Sequence, residues 1–113
     1  MTIGMIFRRS SVFARKCHEP WAVFSPEEIK EAMGSSSDLN KRVVDGIAFE
    51  LSKTTKLCCG IESFSKQGKE PEAVYLVISH TNERYMVARR HAREEFLRKH
   101  GGNVTGDELA RRT

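Results

Sequence analysis

The sequence predicts an α+β fold: three helices, a β-hairpin, and one further long helix at the C-terminal end. Three observations carry that prediction. Apolar residues recur at helical spacing between Leu39 and Leu51. The pattern turns strand-like over residues 57–64 and 73–78, and it returns to helical spacing from Tyr85 to Phe96.

Each element has a local reason. Residues 3–17 place Ile3, Ile6, Phe7, Phe13, Ala14 and Cys17 on one helical face and Arg8, Arg15 and Lys16 on the other, with Pro20 as the stop. WAVF at 21–24 reads as a short extended piece. Ser25 then caps a helix with Pro26 at its first position and Glu28 three residues after the cap; Gly34 ends it. Ser37 or Asp38 caps the next helix, 38–53, whose inner side is Val43, Val44, Ile47, Ala48 and Leu51. Phe49 falls on its outer side, where solvent is expected. LCCGIESF and AVYLVI, separated by the polar loop SKQGKEPE, form the hairpin. Thr81 and its neighbours start the last helix, with stripe Tyr85, Ala88, Ala92 and Phe96 and pairs Glu94→Arg98 and Glu95→Lys99; Gly101-Gly102 stop it. Trp21 is expected to anchor the core beneath the first two helices.

At 113 residues the chain has room for one modest core. With 39% hydrophobic and 30% charged residues it falls among globular proteins rather than disordered ones. No apolar run reaches membrane-span length, and a cytoplasmic location is expected. The net charge of +4 is uneven: Arg8, Arg9, Arg15 and Lys16 stand among the first 18 residues with no acid. That segment reads as a first helix, although a transit peptide has the same composition. Cys17, Cys58 and Cys59 have no metal-ligand spacing with each other or with His18, His80, His91 and His100, so free thiols and no metal or cofactor are expected. No nucleophile has a base beside it and no glycine loop cradles phosphate, which points away from enzyme chemistry.

The element order, with FSPEEIKEAMGSSSDLNKRVV as helix, turn and helix and LCCGIESFSKQGKEPEAVYLVI as a hairpin, resembles the winged helix-turn-helix superfamily. The resemblance implies a domain over 1–79, an added helix over 80–101 suited to a homodimer contact, and a flexible tail over 102–113. It also implies binding of double-stranded DNA, as in a transcriptional regulator, with helix 38–53 reading the major groove.

The candidate DNA-contacting residues are Ser36, Ser37, Asn40, Lys41 and Arg42 on the turn and helix, and Lys66 and Lys69 at the hairpin tip. Lys41 and Arg42 equally suit a solvated helix face, and the tip lysines suit simple solubility. Asp38 and Asp45 would face phosphates unless they accept a hydrogen bond from a cytosine amino group. A rival reading is a protein-binding module on the same scaffold, such as a phage or mobile-element inhibitor of a host protein or nucleoprotein complex. Its interface candidates are Phe49, Tyr85, Arg89 and Phe96.

Overall fold

The computed structural model of the chain describes residues 2–17, 20–34, 39–65 and 73–100. The elements run α1 (Ile3–Arg8), α2 (Ser11–Lys16), β1 (Trp21–Phe24), α3 (Pro26–Met33), α4 (Lys41–Thr54), β2 (Cys58–Phe64), β3 (Ala73–Ser79) and α5 (Asn82–His100). The fold is α+β. Its sheet is antiparallel with strand order β1-β3-β2, Trp21 and Cys58 both lying opposite Ser79.

The one helix expected over 3–17 is two. Ser10 breaks it: its hydroxyl accepts the Phe13 N–H at 3.1 Å, capping α2, and donates to the Phe7 carbonyl at 2.6 Å, closing α1. The break re-aims the second half. Val12 is buried in place of Ala14, which is exposed, and Ile6 is partly exposed. α2 ends at Lys16, before Pro20 is reached.

The start of α3 is the one the sequence announces. Ser25 Oγ accepts the Glu28 N–H at 3.2 Å and Glu28 Oε1 accepts the Ser25 N–H at 2.9 Å, a reciprocal capping box with Pro26 at the first position. Gly34 ends the helix at φ 96°, a backbone region few other residues adopt. α4 starts later than residue 38. Asn40 is its cap, with Oδ1 accepting the Val43 N–H at 2.9 Å. The caps expected at Ser37 and Asp38, the hairpin tip, the Gly101-Gly102 stop and the tail lie outside the described residues.

The sheet separates two cores. Ala22, Phe24, Val74, Leu76 and Ile78 face the side of α1 to α4, where Phe7, Ile29, Val44, Ile47 and Leu51 close over them. Phe7 meets Phe13 and Phe24 edge-on at 5.8 and 5.1 Å. Val23, Tyr75, Val77 and Phe64 face the other way and are covered by α5 through Ala88, Ala92 and Phe96. The two alanines are fully buried, so the helix lies close on the strands. Trp21 belongs to this second side and not beneath the first helices: its ring stacks on His91 of α5 at 4.3 Å.

Two glycines permit close approach. A Cβ at Gly4 would come within 2.6 Å of Glu50 Cβ, where α1 crosses α4, and the Gly4 N–H donates to Glu50 Oε2 at 3.1 Å. A Cβ at Gly60 would collide with the Tyr85 hydroxyl, which lies over β2.

Gly60→Ala is expected to cost about 1–3 kcal/mol by overpacking, measured by denaturant unfolding, and Tyr85→Phe in that background should recover part of the loss. Equal destabilisation with and without the hydroxyl would show that the clash is absent. Glu28 gives a pH prediction. Burial raises its pKa, but hydrogen bonds from Lys16 and the Ser25 N–H outweigh this and hold it below the ordinary 4.5. A carboxyl lowered in the folded state contributes stability above its unfolded pKa and loses it as pH falls through the folded value. Unfolding midpoints between pH 6 and 2 should therefore fall more steeply for the wild type than for Glu28→Gln.

Candidate nucleic-acid interface

α4 buries Val44, Ile47, Ala48 and Leu51 against the first core. Its opposite arc is therefore presented outward, and it carries Lys41, Arg42, Asp45, Phe49, Ser52 and Lys53, with Lys56 just beyond the helix end, all exposed. At 100° per residue Phe49 sits at the centre of that arc, with Arg42 and Lys53 close on one side and Asp45 on the other. The ring is 62% exposed, more than Met86 at 55% or Ile6 at 40%. Lys53 Nζ lies 5.2 Å from the ring centroid, a cation–π contact one turn on.

The candidates fare differently. Lys41 and Arg42 are exposed at the first turn of α4. Asn40 is exposed too, but its side-chain oxygen accepts the Val43 N–H as the helix cap, which fixes the orientation in which its amide group can meet another partner. Ser36, Ser37, Lys66 and Lys69 lie outside the described residues. Lys53 and Lys56 were not among the candidates; extending the helical arc beyond the first turn would have found Lys53.

The α5 candidates point inward. Phe96 is 2% exposed, stacked on Phe64 at 5.2 Å, and Tyr85 is half-buried over Gly60. Arg89 Nε lies 2.9 Å from Glu62 Oε2 of β2. The stripe expected to meet a second copy is thus closed against the chain's own sheet. Burial raises the Tyr75 hydroxyl above the ordinary tyrosine value, with Glu95 adding to the shift, and burial does the same to Tyr85 beside Glu62.

Part of the remaining basic charge is paired within the molecule, while Lys30 and, on α5, Arg84, Arg90 and Arg98 are exposed. Lys16 pairs with Glu28 at 2.8 Å, Arg15 with Glu31 at 3.8 Å, and Lys99 with Glu27 at 3.1 Å and Glu95 at 3.6 Å. Among the described residues Lys41, Arg42, Lys53 and Lys56 enter no ion pair. Arg8 and Arg9 are also exposed, at the end of the helix that packs on α4 through Gly4.

No family model, curated protein or solved structure matches the chain. No helix among the described residues is long and apolar enough to cross a membrane, and no group of three or more His, Cys, Asp or Glu among them could hold a metal. A groove of about 570 Å³ lies along β1, lined by Lys16, Trp21, His91, Glu95 and Arg98 among others. It is not foreseen from the sequence, where Trp21 is expected beneath the first two helices, because the groove depends on Trp21 packing against α5.

The thiols are free and half-buried. Burial pushes Cys59 up to about 11, so at neutral pH it is a protonated, weak nucleophile. Iodoacetamide at pH 8 should alkylate Cys59 far more slowly in the folded chain than in urea, located by peptide mass mapping. Similar rates in both states would contradict this assignment.

Proposed function

We propose that this is a winged-helix protein that binds double-stranded DNA, with α4 as the helix that enters the major groove. The observation that carries the reading is the outward arc of α4. It presents Lys41, Arg42, Lys53 and Lys56 against the single acid Asp45, and none of these cations is neutralised among the described residues. An unpaired basic face suits a polyanion, because each phosphate it neutralises releases counterions. The element order and the strand order β1-β3-β2 agree with the winged-helix arrangement, in which α3 and α4 are the helix-turn-helix and β2–β3 the wing. α4 is also rigidly mounted, by Gly4–Glu50 on one side and four buried side chains on the other.

A second reading, a protein-binding module, is favoured by one observation: the 62% exposed ring of Phe49 at the middle of the same arc.

Titration of a labelled random-sequence duplex at low and moderate salt separates the two. Binding should weaken steeply with salt, and Lys41→Ala/Arg42→Ala should bind more weakly and lower the salt slope by roughly one to two. Absence of binding at low salt would overturn the DNA reading and leave the protein-binding one. Undiminished binding by the double variant would remove α4 as the docking helix.

A further inference from the structure

We propose that Phe49 reads a thymine by seating its ring against the 5-methyl group, so that the protein prefers sites with a thymine beneath the middle of α4. The inference rests on the DNA reading above and deepens it.

Phe49 is the most exposed large apolar side chain among the described residues, and it stands at the centre of a face otherwise made of charges and a hydroxyl. Covering such a ring would be favourable in proportion to the apolar area removed from water. Its surroundings keep it presented. Lys53 holds the ring from the C-terminal side at 5.2 Å. One turn to the N-terminal side is Gly46, where even an added Cβ would meet nothing within 4 Å. No side chain fills the space directly over Gly46.

The occupant must combine negative charge with an apolar spot small enough to lie between cations. In the major groove the thymine methyl is the apolar group on the base edges, set between two rows of phosphates. Arg42 and Lys53 flank the ring along the arc and suit the phosphates or guanine edges on either side. Asp45 is the one acid on this face, about 6 Å from Phe49 along the helix axis. It is then no longer an obstacle. A carboxylate can accept from the exocyclic amino group of cytosine or adenine and would be repelled by a phosphate, so its presence keeps the face over bases. A polyanion read only through its backbone would have no use for either Phe49 or Asp45.

The test begins with selection of preferred duplexes from a randomised library by the wild-type chain at low salt. Each thymine of the selected duplex is then replaced by deoxyuridine, which removes only the methyl. At one position the replacement should weaken wild-type binding about three- to fivefold, the size expected for one buried methyl. Phe49→Ala, at an exposed position and checked for an unchanged unfolding midpoint, should bind the thymine duplex more weakly by a similar factor. It should also be indifferent to deoxyuridine, while Phe49→Leu should retain part of the preference. Wild-type binding unaffected by deoxyuridine at every position, or a methyl preference that survives in Phe49→Ala, would overturn the inference and leave the DNA reading standing. Binding without any selectable sequence overturns it as well. Failure to bind any duplex overturns both, and assigns the ring to a protein partner.

Discussion

The Lys16 ammonium is the contact on which the N-terminal half of the molecule depends. It donates to both oxygens of Glu28, at 2.9 and 2.8 Å, and to the Val23 carbonyl, and it stands 5.1 Å from the centroid of the Phe24 ring. Three elements meet at that one group: the end of α2, the edge of β1 and the start of α3. Glu28 is meanwhile engaged with the Ser25 N–H, so the cation also orients the carboxylate that completes the capping box. The pair is only partly exposed, 28% and 26% for the two side chains, which keeps it less screened than a surface ion pair. Since α3 begins directly after β1, fixing the strand end and the helix start together sets the direction in which the chain enters its helical layer.

The sheet is then the wall that both cores share. One face is closed by four short or medium helices and the other by α5 alone, and β3 between its neighbours is buried along six of its seven residues. Close packing on both sides explains why small residues matter where they occur: Gly4 under Glu50, Gly60 under Tyr85, Ala88 and Ala92 against the strands. One arc of α5 is spent on covering the sheet and its other arc, with Arg84, Met86, Arg90 and Arg98, faces solvent, as does the arc of α4 around Phe49. The stripe Tyr85, Ala88, Ala92 and Phe96 of α5 thus serves the sheet, and the apolar ring left most exposed is Phe49 of α4.

Much of this was legible in the residues. Ser25, Pro26 and Glu28 announced the α3 start because capping is local chemistry, complete within four residues. The buried sides of α4 and α5 followed from spacing alone, and Phe49 was placed on the outer side where it is found. What was missed depends on tertiary choices or on competition between equally good local signals. Ser10 is a capable cap inside an otherwise helical pattern, and only the packing of Phe7, Phe13 and Phe24 into one cluster favours the break there. Ser37, Asp38 and Asn40 can all cap a helix, and spacing does not rank them. Trp21 alternates with Ala22 on a four-residue strand, too short for period to say which of the two faces which layer. Burial of Phe96 was implied by its stripe, but the identity of the covering surface, sheet or second copy, was not.

The position of Lys16 also bears on how the molecule behaves at high concentration. β1 is the end strand of the sheet, and an end strand with free carbonyl and amide groups is a template on which another chain can pair. The Val23 carbonyl is already taken by the Lys16 ammonium, and the Ser25 N–H just past the strand by Glu28. A foreign strand pairing along this edge would have to displace a partly buried cation and its carboxylate to reach the Val23 carbonyl. The same contact that orients the helical layer thus hinders pairing at one of the two edges of the sheet, that of β1.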